Sequence, residues 1–171
     1  MKYRCQCCGE LHDSWPAIAF RFPNHYLHLS NEEKKTIARV NSDFCIINYE
    51  DQTDRFIRVT LSQQVIDHCG ELEYGLWVSL SEESFEDYLT HFDDENHITT
   101  YFGWLSSFIP GYENTLSIPT TVQTKADNQR PEIVPREGFD HPFVQDYYKG
   151  ITKQEAERRI EEMLRHTGYY N

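Results

Sequence analysis

Residues 44–61 read FCIINYEDQTDRFIRVTL, which places two runs of β-branched and aromatic residues on either side of a short polar stretch. Such runs favour extended strands, and the polar residues 50–54 between them fit the loop of a β-hairpin. In the second run, Ile57, Val59 and Leu61 alternate with polar side chains, so one face of that strand should meet a core and the other water. The stretch therefore predicts a half-buried β-hairpin.

The rest of the chain predicts further strands, with helices between and after them. Strands are expected at residues 17–22, 73–80, 98–105, 115–124 and 132–134, and helices at residues 30–40, 81–92 and 151–167. Because the strands show no regular βαβ alternation, we expect an α+β fold: a mostly antiparallel sheet with two to three flanking helices and an N-terminal Cys-rich turn. A single domain should span residues 1–171, with residues 1–16 as the Cys-rich N-terminal segment and residues 125–150 largely irregular.

The chain is acidic and rich in aromatic residues. It carries 28 acidic and 16 basic residues, a formal net charge of -12, and its aromatic share is 14%. A surface of this sign repels phosphate backbones and anionic lipids, so we expect neither nucleic-acid nor membrane binding. It favours a basic protein partner, although an acidic surface that only confers solubility explains the charge as well.

The N-terminal sequence and the cysteine count indicate a compartment. The first residues, Met-Lys-Tyr-Arg-Cys, lack the apolar core of a secretory signal, and no apolar run approaches the length of a membrane span. We therefore expect a cytoplasmic protein. Its five cysteines, an odd number, then favour free thiols or metal ligands over a disulfide framework.

The densest group of cysteines lies at residues 5–12, which read CQCCGELH. Cys5 and Cys8 have the spacing of a metal knuckle, and thiolates at this spacing suit Zn2+. We expect Cys5, Cys8 and His12 to bind a structural Zn2+, with one of three remote residues as the fourth ligand: Cys45, Cys69 or His141. The alternatives are a reduced N-terminal turn with idle thiols and, less favoured, a redox pair.

The second candidate region is a set of aromatic residues from 101 to 112, which begins in the predicted strand at residues 98–105 and continues into the loop after it. Much of this set should be core. Trp104, Phe108 and Tyr112 lie around a loop with Pro110 and Gly111, and we expect these three aromatic residues to form any partner-binding surface. His141, between an aspartate and a proline, is a candidate ligand or general base, although packing in an irregular segment is the simpler explanation.

Several short motifs in order along the chain resemble one family. They are Cys5-x-x-Cys8-Gly9-Glu10-x-His12, Ser42-Asp43-x-Cys45, Gly75-Leu-Trp-Val-Ser-Leu80, Phe102-Gly-Trp-Leu105, Asp140-His-Pro142 and Gly150-Ile-Thr152. Together they resemble the bacterial family called domain of unknown function 2199, over nearly the whole chain. The resemblance implies a bacterial single-domain protein and transfers no catalytic residue. Cys7 is an extra thiol between the two knuckle positions.

The absence of catalytic motifs directs the functional expectation. The sequence contains no phosphate-binding loop GxxxxGK[ST], no GxSxG elbow, no HExxH and no GxGxxG, so we assign no catalytic residue. With the acidic charge and the aromatic loop, this favours a non-enzymatic protein-binding module of an immunity-like or regulatory kind. The alternative is a zinc-dependent hydrolase that uses Cys5, Cys8 and histidines.

Overall fold

The structure is a computed structural model that describes residues 3–4, 11–12 and 14–165. Its strands are β1 (Tyr3–Arg4), β2 (Leu11–His12), β3 (Ile18–Ala19), β4 (Ala38–Val40), β5 (Phe44–Asn48), β6 (Thr53–Gln63), β7 (Leu72–Ser79), β8 (Thr100–Leu105), β9 (Pro119–Gln123) and β10 (Glu132–Pro135). Its helices are α1 (Asn24–Leu27), α2 (Asn31–Thr36), α3 (Glu82–Thr90), α4 (Pro142–Lys149) and α5 (Lys153–Arg165). The predicted α+β class is confirmed.

The predicted hairpin is present as β5 and β6, and β6 pairs with three strands of the sheet: β5, β7 and β10. Its residues 53–57 pair antiparallel with β5 and its residues 56–63 pair antiparallel with β7. From β7 the order continues through β8, β9 and β10, and β10 returns to β6 in a parallel pairing at Thr60. Strands β6 to β10 therefore close into a barrel.

Alternate residues of the barrel strands fill its interior. Side chains that the strand register places on the inner face are at most 1% exposed: Ile57, Val59, Leu61, Leu76, Val78, Leu105, Val122 and Ile133. Close packing of such β-branched and leucine side chains supplies the main hydrophobic contribution to the fold. The outward side chains of β8 and β9 alternate with these residues and remain partly exposed.

The segment that includes β3 pairs with an edge of β7 and contacts a side chain on its outer face. β3 pairs parallel with β7, and the Phe20 N–H donates to the Gly75 carbonyl at 2.9 Å. The indole Nε1 of Trp77, a fully buried side chain, donates to the Phe20 carbonyl at 2.9 Å. Buried polar groups need such partners, so this hydrogen bond fixes the segment against the sheet.

Helices α2 and α3 begin close to the predicted positions, and a serine hydroxyl caps the start of each. Ser30 and Glu33 form a capping box at the start of α2, and the Ser81 hydroxyl accepts from the Ser84 N–H at the start of α3. α2 ends at Thr36, however, because the chain then pairs with β5 as β4. Pairing with a neighbouring strand overrides the weak helical preference of these residues.

The prediction of two to three flanking helices is wrong, since the described residues hold five. One of the two additional helices, α4, falls within residues 125–150, which we expected to be largely irregular. Pro142 occupies its first position, where a missing N–H has no cost and the fixed φ suits a helix. Phe143 and Val144 are buried from this helix. No helix among residues 14–165 is long and apolar enough to cross a membrane.

Candidate functional site

The predicted zinc ligands fall largely outside the described part of the structure. Cys5 and Cys8 lie outside the described residues, and His12 is described only as backbone, where it pairs with Tyr3 between β2 and β1. The knuckle therefore stays a prediction. The three candidates for its fourth ligand do lie within the described residues.

These three candidates differ in how free they are to bind a metal. Cys45 is fully buried, and burial together with the nearby Asp54 charge raises the pKa of its thiol to about 12. The His141 Nδ1 accepts the Phe143 N–H at 3.1 Å as the cap of α4, so its Nε2 carries the proton and donates to the Glu113 carbonyl at 2.6 Å. Cys69 is exposed.

The predicted contact residues are not equally accessible. Trp104 is 45% exposed and Phe108 is 47% exposed, whereas Tyr112 is half-buried. The structure brings Trp104 together with Phe102, which is 39% exposed, as an edge-to-face pair with ring centroids 4.8 Å apart. Both rings project from the outer face of β8, since Tyr101 and Leu105 of the same strand are buried.

Residues of β9 and β10 complete this outer surface. The register places Thr121 and then Val134 beside Phe102, and Pro119 beside Trp104. The guanidinium of Arg136 lies 4.8 Å from the centroid of the Phe102 ring. We call the surface formed by Phe102, Trp104, Pro119, Thr121, Val134 and Arg136 the aromatic face.

Tyr112 belongs to a buried network around Arg159. This arginine, 5% exposed, donates to the Glu155 carboxylate at 2.8 Å, to the Tyr74 hydroxyl at 3.1 Å, to the Asp146 carboxylate at 2.9 Å and to the Tyr112 hydroxyl. Because these partners come from α5, β7, α4 and the loop after β8, the network fixes both C-terminal helices to the barrel. We therefore leave Tyr112 out of the contact surface.

A second polar cluster, which sequence reasoning missed, lies where α3 meets β8. We call Asp87, His91, His97 and Tyr101 the carboxylate–imidazole cluster. One potential ligand atom from each of the first three lies within 4.8 Å of the others. The only hint in the sequence is that Asp87 and His91 are four residues apart on a predicted helix, which places them on one face.

Hydrogen bonds hold this cluster together. The His97 Nε2 lies 3.1 Å from the Asp87 Oδ2, and the Tyr101 hydroxyl donates to the same oxygen at 2.6 Å. The His91 Nδ1 lies 3.4 Å from the Asp87 Oδ1 and 2.9 Å from the Asp87 carbonyl. The hydrogen bond from Tyr101, aided by the histidines, lowers the pKa of Asp87, so the carboxylate stays ionised over the ordinary pH range.

An open cleft of about 370 Å³ lies beside the cluster. His91 and His97 line it together with two acidic residues, Asp43 and Asp94, and two basic residues, Lys125 and Arg130. Arg130 is held by the Asp43 carboxylate at 2.9 Å. The cleft thus carries imidazole, carboxylate and basic side chains, a setting in which a bound ion or a small polar molecule would have polar partners.

The fold and these sites define a small α+β protein built on a closed barrel, with an exposed aromatic face and a separate carboxylate–imidazole cluster. The chain belongs to the bacterial family described as "Uncharacterized protein conserved in bacteria (DUF2199)", whose model matches residues 4–151. The predicted resemblance is therefore confirmed. No curated protein and no solved structure matches the chain. The aromatic face and the cluster lie within the matched residues, whereas α5 follows them.

Proposed function

We propose that the protein is a non-enzymatic protein-binding module, immunity-like or regulatory, that presents its aromatic face to a basic protein partner. The observation that carries the proposal is the exposure of Trp104 and Phe102, at 45% and 39%, side by side on one strand. The solvated face of an antiparallel sheet usually carries polar residues. The adjacent rings of Phe102 and Trp104 instead expose apolar area on this face. At protein–protein interfaces, tryptophan is among the residues that contribute most of the binding energy.

Two features support a basic partner over a neutral one. The net charge of -12 favours encounter with a positively charged surface and disfavours acidic competitors. The aromatic face also holds one guanidinium already, since Arg136 stacks on Phe102. Trp104 is the stronger ring for a cation, and an arginine of the partner could stack on it in the same way.

The experiment is capture from a lysate of the native host with the full chain immobilised, at low and at moderate salt. Three proteins are compared: the wild type, the double variant Phe102→Ala/Trp104→Ala, and Ile66→Ala as the matched control. Ile66 is 60% exposed and lies outside the aromatic face, so its truncation removes apolar area of similar exposure elsewhere.

The proposal expects a basic protein that the wild type and Ile66→Ala retain, that the double variant loses, and whose retention weakens as salt rises because its charges are screened. Retention that is equal for the double variant and the wild type contradicts the proposal. A captured partner with an acidic surface contradicts the expected charge of the partner, whereas the aromatic face would still be the binding surface.

We also propose that Cys5, Cys8 and His12 bind a structural Zn2+, as their spacing predicts, with Cys69 as the fourth ligand. We choose Cys69 because the other two candidates are less free to bind a metal. Both ring nitrogens of His141 already make hydrogen bonds. Deprotonation of the buried Cys45 thiol is unfavourable, since its pKa is raised to about 12.

The surroundings of Cys69 also support this choice. The neighbouring His68 ring stacks on Trp15 with centroids 4.2 Å apart, and Trp15 follows His12 by three residues. The exposed thiol therefore sits in a loop next to the chain that leads away from the predicted knuckle.

Cobalt substitution tests this zinc site, because thiolate ligands give Co2+ an intense charge-transfer absorption that imidazole and carboxylate ligands do not give. We expect the band in the wild type and in Cys7→Ser, and its loss in Cys5→Ser/Cys8→Ser. A weaker band in Cys69→Ser identifies the fourth ligand. An unchanged band in Cys69→Ser removes Cys69 from the site, and no band in the wild type removes the site.

A further inference from the structure

We propose that Asp87, His91 and His97 form a second metal site, for a divalent transition-metal ion such as Zn2+, that opens onto the cleft beside α3. The site is independent of the aromatic face and of the cysteine segment. It rests on the donor set, on the distances between the donor atoms and on the way the local fold brings them together.

The donor set is chemically selective. Two imidazole nitrogens and one carboxylate form the combination that binds zinc and other first-row divalent metals, whereas magnesium and calcium prefer oxygen ligands alone. Among residues 14–165, Asp87, His91 and His97 are the one group of three or more histidine, cysteine and acidic side chains with donor atoms this close together.

Each histidine already has one ring nitrogen near an Asp87 oxygen at a distance typical of two ligands of one metal ion. Around a tetrahedral zinc with bonds of about 2.0–2.1 Å, neighbouring ligand atoms lie about 3.3 Å apart. The His97 Nε2 lies 3.1 Å from Asp87 Oδ2, and the His91 Nδ1 lies 3.4 Å from Asp87 Oδ1. Without metal, the His91 Nδ1 lies closest to the Asp87 carbonyl, at 2.9 Å, and the His97 Nε2 lies closest to Asp87 Oδ2, so metal binding would replace both hydrogen bonds.

The local fold explains why these residues meet. Asp87 and His91 lie four residues apart at the C-terminal end of α3, so both face the same side of the helix. The chain then turns back: the Asp94 N–H donates to the His91 carbonyl at 3.0 Å, and the His97 N–H donates to the Asp94 carbonyl at 3.1 Å. This turn returns His97 to the level of Asp87.

One rearrangement accompanies binding. The two imidazole rings are stacked, with centroids 4.0 Å apart and planes 8° from parallel. Because a metal ion lies close to the plane of each imidazole that binds it, the rings must open when both act as ligands. His97 lies in the irregular stretch between α3 and β8, which can move without disturbing a helix or a strand.

Tyr101 acts as a positioning residue. Its hydroxyl donates to Asp87 Oδ2 at 2.6 Å and therefore fixes the orientation of the carboxylate, as supporting hydrogen bonds do around metal ligands generally. Three protein ligands leave a coordination position free, and the cleft lies on the side of His91 and His97 where that position would open.

The test uses the full chain with Cys5, Cys7 and Cys8 replaced by serine, so that the N-terminal thiols do not contribute. The probe is Zn2+ alone, added to chelator-treated protein. Titration measures stoichiometry and affinity, and 1H–15N spectra of the imidazole side chains report which histidines bind. We expect one zinc per chain and shifted signals from His91 and His97 only.

Four substitutions in this background distinguish ligation from a structural role. His97→Ala and Asp87→Asn should weaken zinc binding at least about tenfold, and Tyr101→Phe by about tenfold or somewhat more, while the exposed His28→Ala should leave it unchanged. Asp87→Asn keeps the side-chain shape and so retains the test if His97→Ala fails to fold. Unshifted His91 and His97 signals at saturating Zn2+, or binding that survives Asp87→Asn and His97→Ala, overturn the proposal.

Discussion

Replacement of Arg159 by methionine tests whether the buried network fixes the C-terminal helices. The side chain of Arg159 is 4% exposed, and its loss leaves the Tyr74 hydroxyl, on a residue 1% exposed, without the partner it has at 3.1 Å. An unsatisfied buried hydroxyl costs about 1–3 kcal/mol, and removal of one member of a buried ion pair costs about 3–5 kcal/mol.

The second of these costs is smaller here, since the Asp146 side chain is 38% exposed and can regain water. Asp146 also keeps its hydrogen bond from the Tyr112 hydroxyl at 2.5 Å. We therefore expect Arg159→Met to lower the free energy of unfolding by about 2–4 kcal/mol.

Arg158→Met is the matched control, because it makes the same substitution one residue earlier on the same helix. Arg158 is 50% exposed and pairs with Glu155 and Glu162 at the surface, where such pairs contribute about 0–1 kcal/mol. Urea titrations of both variants give the two free energies. Losses within about 0.5 kcal/mol of each other would refute the assigned role of Arg159.

A second substitution separates the orphaned hydroxyl from the lost packing. Tyr74→Phe in the Arg159→Met background removes the unpaired oxygen, so the double variant should be more stable than the sum of the two single losses predicts. Strict additivity would show that Tyr74 and Arg159 do not act together.

Three further predictions follow from single contacts. The hydrogen bond from Arg158 is the largest cause that lowers the pKa of Glu155 to about 2. The ionised Glu155 therefore stabilises the fold fully above its unfolded pKa of about 4.5, and this contribution is lost as the pH falls toward 2. In acid-unfolding curves, Glu155→Gln should make the free energy of unfolding depend less on pH over that range. Trp77→Ala should cost about 3–5 kcal/mol in urea, while Trp104→Ala changes stability by less than about 1 kcal/mol. Gly150→Ala should lower the melting temperature more than Gly138→Ala. Both glycines have φ near +80°, so the backbone cost is similar, but an added Cβ would lie 2.5 Å from a side-chain carbon at Gly150 and would have nothing within 4 Å at Gly138. Equal melting temperatures of the two variants contradict this reasoning.

Local patterns predicted the elements well where a single residue or a short alternation decides the outcome. Ser30 and Ser81 begin helices because their hydroxyls satisfy backbone donors that nothing else reaches. The alternation in residues 55–61 predicted β6 because period-2 burial follows from strand geometry. Such signals act over a few residues, so the sequence displays them directly.

Pairings between distant residues left no comparable signal. The parallel pairing of β10 with β6 joins Glu132 to Thr60, and neither residue carries a pattern that distinguishes this partner from another edge. Barrel closure was therefore not predictable from periodicity. The carboxylate–imidazole cluster was also not predictable from periodicity, since the turn after α3 is what brings His97 to Asp87.

The strand β8 shows how one alternation can serve two different sites. Tyr101 points to the buried side and holds Asp87, while its neighbours Phe102 and Trp104 point outward and form the aromatic face. Because adjacent side chains of a strand lie on opposite faces, replacing the outward rings leaves the backbone position of Tyr101 unchanged. Partner binding and zinc binding should therefore respond to separate substitutions, and a variant of the aromatic face that altered zinc affinity would require β8 itself to shift.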